Sequence, residues 1–453
     1  MTPRAVLRCA FLVLAALLPA LGEEGAPMLA TVPAVAFNSG DTAWMLMSAV
    51  LVLFMTIPGL SLFYGRLVRT RNVLTMFTQC FAITCLVTVL WTIYGYSLAF
   101  DPSGQVAGRF TWNSVIGGLG KAMLIGVTPA TAAAQAPTIP EPVFFIFQLT
   151  FAIITPALLV GAFAERMKFS AVMWISALWL TLVYAPICHM AWGGPAALMG
   201  GLWGLQDLAG GTVVEVNSGI AGLVCALVVG RRLGYPQHAM VPHNAAMCIT
   251  GAGMLWVGWF GFNAGSAGAA NELAARAAFT TQIAAGMAGC VWLFLEWRVV
   301  GKPGAVGIAT GAVAGLVAIT PACGFVGPIG ALVIGTLAGV GSFFAVTSLK
   351  KRFGFDDSLD VFGVHGVGGM IGLIATGVFA TTTLGGAGYP AGQTMGGQVL
   401  VQLGSMALTA VISAVGTALI LMLVDKTIGL RASATDEENG LDYAQHGENA
   451  YNL

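Results

Sequence analysis

Charge is what this sequence has least of. Asp, Glu, Lys and Arg make up 8% of its 453 residues, where a soluble domain carries about 25%. That scarcity excludes an ordinary water-soluble globular protein. Acidic and basic residues cancel to a net charge of zero, so the chain lacks the positive excess that binds nucleic acid. Its eight cysteines show no CxxC or Cys/His spacing, and no zinc module is read from them. Cys9 falls in the N-terminal apolar run, and Cys80, Cys85, Cys188, Cys225, Cys248 and Cys290 fall in or at the ends of later ones. Only Cys323 falls in an expected external loop. These read as buried structural thiols. No cofactor or metal site is expected.

What is abundant is apolar length. Hydrophobic residues make up 57% of the chain, in runs long enough to cross a bilayer, which takes about 20 residues. Many of the 61 glycines fall inside these runs, where glycine lets helices approach closely. The N-terminus, with Arg4 and Arg8 before an apolar stretch and Ala20-Leu-Gly22 after it, reads as a signal peptide over 1–22. The other reading is a retained first helix. Eleven spans follow, at 43–65, 73–99, 142–164, 170–190, 210–230, 245–263, 277–298, 303–321, 327–349, 360–380 and 396–424. The expected fold is an all-α integral membrane protein: an eleven-helix domain over 41–425, then a tail over 426–453.

Basic residues orient the spans. Arg66, Arg69 and Arg71 follow the first, Arg166 and Lys168 the third, Arg231 and Arg232 the fifth, Arg298 and Lys302 the seventh. Lys350, Lys351 and Arg352 follow the ninth, and Lys426 and Arg431 the eleventh. All lie on one side if the spans alternate, which makes that side the cytoplasm. The mature N-terminus is then outside and the C-terminus inside.

The fifth and tenth spans share a pattern. Glu215 is followed by Gly219, Gly222 and Leu223; His365 is followed by Gly369, Gly372 and Leu373 at the same offsets. An aspartate precedes each, Asp207 and Asp360. Spans five apart cross in opposite directions, which fits an inverted repeat of five plus five helices with the eleventh outside it. Small-residue packing alone also produces such spacing. Inverted repeats place substrate sites near the midplane between their halves. An ionisable side chain at that depth reads as functional by default, although His365 also fits a satisfied structural histidine. Asp207 reads first as a helix cap.

Aromatic residues surround these positions. Phe147 and Phe151 share a helix face, Trp192 closes the fourth span, and Trp259 through Phe262 to Ser266 closes the sixth. Aromatic faces attract a small cation, and a serine hydroxyl accepts a hydrogen bond from it. An interfacial aromatic belt is the other reading; Trp112 and Trp203 are assigned to it.

The chain resembles the ammonium transporter family, the Amt/Mep/Rh superfamily, and within it the bacterial Amt type. The resemblance rests on Asp41-Thr-Ala-Trp44, Pro58-Gly-Leu-Ser-Leu-Phe-Tyr64-Gly, Ala164-Glu-Arg166, Asp207-Leu-Ala-Gly-Gly-Thr212, Gly258 through Ser266-Ala-Gly, Thr320-Pro-Ala-Cys-Gly, Asp356-Asp through Asp360-Val-Phe-Gly-Val-His365-Gly, and Gly440-Leu-Asp through Tyr451. It implies eleven helices and a homotrimer with one pore per subunit, in a bacterial inner membrane. It implies that Phe151, Trp192 and Ser266 bind ammonium, with Asp207 supporting them. Phe151 and Phe262 match a stacked gate, Phe147 and Trp259 the surrounding vestibule, and His365 one of two pore histidines. The other histidine is replaced here by Glu215, as in some fungal members. The tail implies docking of a PII-type signal protein. Ammonium uptake is the expected function, without enzymatic activity; an ammonium sensor acting through the tail is the alternative.

Overall fold

The computed structural model of the protein describes residues 36–237, 240 and 243–451; the expected signal peptide lies outside them. Among the described residues the chain is helical, with isolated bridges and no strand. Ten helices are long and apolar enough to cross a membrane: α1 Ser39–Gly65, α2 Thr70–Phe100, α3 Glu141–Phe163, α4 Phe169–Trp192, α5 Gly211–Val229, α6 Ala245–Gly265, α7 Glu272–Val300, α9 Pro328–Phe353, α10 Phe362–Phe379 and α11 Met395–Ile428. Between α7 and α9 lies α8, Ala305–Ile319, which is apolar but shorter. It coincides with the eighth expected span.

Helix starts follow local chemistry. Asn38 accepts from the Asp41 N–H, Asn244 from Met247, Asn271 from Ala274, and Thr394 from Gly397. Each side-chain oxygen satisfies a first-turn donor that has no carbonyl partner within its helix.

The centre of the bundle is made by α3, α5, α8 and α10. Helix α3 is buried over nearly its whole length. Both α5 and α10 open with a wide π-type turn, Gly211–Val216 and Phe362–Gly366, before becoming α-helical. Such turns disturb the regular hydrogen-bond ladder and often mark functional positions; here they carry Glu215 and His365. The two helices cross by reciprocal glycine contacts. A Cβ on Gly219 would lie 2.1 Å from the Gly366 nitrogen, and one on Gly369 would lie 2.7 Å from the Glu215 Cβ. Only hydrogen fits at either crossing.

Helix α11 fastens this centre from outside. Its buried face is a line of small polar groups, from Gln398 and Gln402 to Ser405, Thr409, Ser413 and Thr417. Gln402 bridges the Gln206 N–H and carbonyl, Ser413 donates to the Asn217 carbonyl, and Thr417 accepts from the Trp179 indole. In an apolar medium such hydrogen bonds supply an attraction that hydrophobic contact does not.

Three of the basic residues used to assign orientation gather into an ion-pair cluster around the buried Glu165 and Asp356. Arg69 pairs with Glu165 at 2.9 Å, Arg232 with Asp356 at 2.8 Å, and Arg166 with Asp356 at 3.4 Å. Burial would raise the Asp356 carboxyl, but its bonds to Arg232 and the nearby Arg166 hold it below the usual range.

The tail lies against this cluster. It carries a short helix, α12, Ala434–Asn439. Arg431 and Glu437 form an ion pair, and the Glu437 carbonyl accepts from Arg69. The Leu441 N–H donates to Asn72, and Gln445 accepts from the Phe169 N–H. Asp442 accepts from the Leu74 and Thr75 N–H groups at 3.0 and 2.7 Å, and so caps α2.

Several expectations need correcting. Cys85 and Cys290, expected to be buried thiols, are exposed on helix surfaces, while Cys323 is buried in the turn after α8. The counterpart of Asp207 is Asp357 and not Asp360, for reasons given below.

Candidate functional site

A vestibule of about 330 Å³, called outer after the orientation expected from the basic residues, opens among the ends of α3, α4 and α6, with Phe147, Trp192 and Ser266 in its wall. Asp207 organises it from behind. Its carboxylate takes four donors: the N–H groups of Gly210, Gly211 and Thr212 at 2.9, 2.6 and 2.7 Å, and the Thr212 hydroxyl at 2.6 Å. That arrangement starts α5 and leaves the carboxylate engaged with protein donors. Asp207 meets the vestibule through its main chain instead: its carbonyl accepts from the Trp192 indole at 3.0 Å, fixing the ring plane. From the loop before α3, Gln135 donates to the Trp192 carbonyl at 3.1 Å. Ser266 closes α6 and donates to the Phe262 carbonyl at 2.8 Å, which leaves its oxygen lone pairs as acceptors.

Beneath the vestibule Phe151 and Phe262 stack with centroids 4.3 Å apart and planes 31° apart. Trp192 meets Phe151 edge-on at 5.9 Å, and so does Phe147 at 5.0 Å. Below the stack lies a constricted chamber of about 10 Å³, with Ile154, Leu158, Val214, Leu255 and Val313 among its apolar walls. Glu215 supplies its carboxylate, His365 its imidazole and Tyr64 a phenol. Trp259 is placed here, not in the outer vestibule as expected. Its indole donates to Thr320 at 2.9 Å, which turns the ring down against Phe262.

Glu215 Oε2 and His365 Nδ1 are 2.7 Å apart. Both side chains are buried, at 1% and 6% exposure. A contact that short between oxygen and nitrogen requires one proton between them, on either atom. The second carboxylate oxygen of Glu215 has no hydrogen-bond partner. His365 also lines an inner vestibule of about 330 Å³, together with Tyr64, Trp292, Glu296, Lys351 and Asp360. The chamber and this inner space share Phe63, Tyr64, Val313 and His365 in their walls.

The structure thus brings together the residues singled out in the sequence: three at the outer mouth, two at the stack, two at the bottom of the chamber. Gln135 and Gln148 were missed. The first lies in a loop without a periodic pattern. The second had a signal, since it is an amide inside the apolar run of α3.

Outer vestibule, aromatic stack, apolar chamber and inner vestibule, held within a bundle of membrane-length helices, define a membrane transport protein for a small solute. Sequence comparison says which. The profile described as the Ammonium Transporter Family matches residues 43–451. An ammonium transporter of Aquifex aeolicus is 46% identical over 419 residues, 92% of this chain and 94% of that protein. One of Bacillus subtilis is 44% identical over 91% of this chain and 98% of its own. Among solved structures, Saccharomyces cerevisiae Mep2 superposes with a TM-score of 0.80 at 32% identity, covering 91% of both chains. A protein described as a sensor Amt protein gives 0.78 at 26% identity, covering 90% of this chain and 98% of its own. The chain belongs to the ammonium transporter family, and it is a multi-pass membrane protein.

Proposed function

We propose that this ammonium transporter recruits ammonium between Phe151, Trp192 and Ser266, deprotonates it at the Phe151–Phe262 stack, and conducts ammonia past the Glu215–His365 pair. Moving an intact small cation from water into an apolar medium costs an idealised ~20 kcal/mol. A chamber of about 10 Å³ with apolar walls has nothing to offset that cost until Glu215 is reached. An aromatic cage contributes about 2 kcal/mol to holding the cation, enough to concentrate it at the mouth. Neutral ammonia then crosses the chamber. The observation that carries this reading is the 2.7 Å Glu215–His365 contact at the chamber floor, because a shared proton there gives the displaced proton a separate route.

In the cell, the transporter works as a homotrimer in the bacterial inner membrane and takes up nitrogen. The two five-helix halves are inverted copies, α8 counts as a span, and α11 is the eleventh. Residues 1–22 are removed as a signal peptide; the N-terminus faces outward and the tail the cytoplasm. No covalent chemistry is assigned to the site. The tail's contacts with Asn72, Thr75 and Phe169 suit it as a regulatory segment that docks a PII-type signal protein. They equally support a second reading, in which the protein senses ammonium through that segment.

Purified protein in liposomes, pulsed with ammonium at a fixed gradient, tests the transport reading: a current that saturates with concentration is expected. Absence of both current and ammonia flux would overturn it. Removing residues after Arg431 should leave flux and abolish PII binding. Lost signalling with no flux in the intact protein would favour the sensor.

A further inference from the structure

Helix α3 presents Phe144, Phe147, Gln148 and Phe151 at spacings of three and four residues, which is one helix face. The first three of these line the outer vestibule. Gln148 is the odd member. Its side chain is 8% exposed, and its Oε1 is buried without a hydrogen-bond partner. A buried amide oxygen left unpaired is unfavourable, and the cost is removed only if something else pairs with it. Neither amide atom of Gln148 has a hydrogen bond to break, so a half-turn about the last torsion exchanges Oε1 and Nε2 and brings the oxygen toward the vestibule that Gln148 lines.

The other groups in the vestibule explain what is missing. Trp192 has its indole N–H and its carbonyl both engaged, with Asp207 and Gln135. Ser266 supplies lone pairs after giving its proton to Phe262. Aromatic faces attract a positive charge but accept N–H groups weakly. An ammonium ion carries four N–H donors arranged tetrahedrally, so one hydroxyl and a set of rings leave most of them unpaired.

We propose that Gln148 is a further ligand of the cation in the outer vestibule, its carboxamide oxygen accepting a hydrogen bond from ammonium opposite the hydroxyl of Ser266. This rests on the transport reading of the same site. The oxygen is neutral, so it adds binding by hydrogen bonding without holding the cation as tightly as a carboxylate would. The cation can then leave or lose its proton. Gln148 acts on capture, not on passage through the chamber.

The test is current against ammonium concentration for the wild-type protein, Gln148→Leu, Gln148→Glu and Trp192→Leu in liposomes. Gln148→Leu keeps the side-chain bulk and removes the acceptor; its half-saturating concentration should rise roughly tenfold, the weight of one hydrogen bond to a charged group, with maximal current within about twofold of wild type. Gln148→Glu should move half-saturation the opposite way, below the wild-type value, and lower the maximal current because the ion leaves slowly. A role in packing alone would shift both variants in the same direction, and that result overturns the proposal. So does a wild-type half-saturation in Gln148→Leu when Trp192→Leu shifts. If the wild-type protein gives neither ammonium-dependent current nor ammonia flux, the transport reading and this assignment fall together.

Discussion

The turn into α5 and the turn into α10 place Asp207 and Asp357 at the same distance before Glu215 and His365, and 150 residues separate the two pore groups. Both turns pass through a left-handed residue at the same place, Gly210 with φ 114° and Asp360 with φ 63°. Both aspartates cap the helix that follows. The caps differ in completeness. Asp207 takes four donors. Asp357 accepts from the Phe362 N–H at 2.8 Å, but Phe362 stands where Thr212 supplies a hydroxyl, and Asp357 Oδ1 is buried without a partner. Burial first, and then the neighbouring Asp360, raise the Asp357 carboxyl to about 6. The outer turn is finished as a fixed mount for Trp192. The inner turn keeps an acid with one carboxylate oxygen left unpaired. Two turns with one backbone design carry different electrostatics, one holding an aromatic ring and one beside the second vestibule.

The comparison is broken most severely at its pore residues. Glu215→Ala strands the His365 imidazole in a buried site, and ammonium-driven current should fall roughly tenfold or more, the cost of an unpaired buried polar group. Glu215→His makes the two halves alike; it should retain transport and shift the pH profile of the current upward by roughly two units, the difference between the reference pKa values. Identical profiles for wild type and both variants would reduce Glu215 to a spacer.

Trp192→Leu removes the ring that only the outer turn carries. Half-saturation for current should rise about tenfold, corresponding to a desolvated cation–π contact, in protein that still assembles. Unchanged concentration dependence would remove the aromatic site. Asp207→Asn weakens the mount itself: about 1–3 kcal/mol of stability should be lost as charge-assisted bonds become neutral or unmade, seen as a lower melting temperature together with weaker ammonium capture.

The smallest effect, and one of opposite sign, is expected for Asp357→Asn. A carboxyl whose pKa is raised on folding favours the folded state most below its unfolded pKa of 3.8, and that contribution is lost as pH rises toward about 6. Asn keeps an acceptor for the Phe362 N–H and has no such loss. The variant should therefore melt slightly higher than wild type at pH 7.5 and show a flatter pH dependence between pH 5 and 7.5. A fall in melting temperature matching that of Asp207→Asn would mean that the two caps are equivalent after all.

Much of this was readable in advance where spacing and chemistry coincide. The offsets from Glu215 and His365 to their glycines are visible in the sequence, and the reciprocal contacts of Gly219 with Gly366 and Gly369 with Glu215 are what they encode. The side holding Arg69, Arg166 and Arg232 was legible from loop charge; their convergence on Glu165 and Asp356 was not, because ion-pair partners come from segments far apart in the chain. In the sequence Asp360 pairs with Asp207 as the aspartate that precedes the ionisable residue of its span. The true register was hidden by a substitution: the left-handed position holds glycine in one half and aspartate in the other. Trp259 lies four residues before Asn263 in a helix exposed to the pore on more than one level, and only its bond to Thr320 decides the level. Gln148 sat in plain view, but one amide beside Phe147 carries no spacing to be recognised.

The cap that Asp442 places on α2 joins residues 368 positions apart. A ribosome delivers the chain from its N-terminus, so α2 is made early and its first turn waits, with the Leu74 and Thr75 N–H groups open, until the tail emerges. Completion of the second helix thereby requires that synthesis has passed Asp442. A chain cut short before Asp442 exposes those donors on the face where Arg69 and Glu165 meet, and a partner that lifts the tail from the finished protein returns α2 to that unfinished condition.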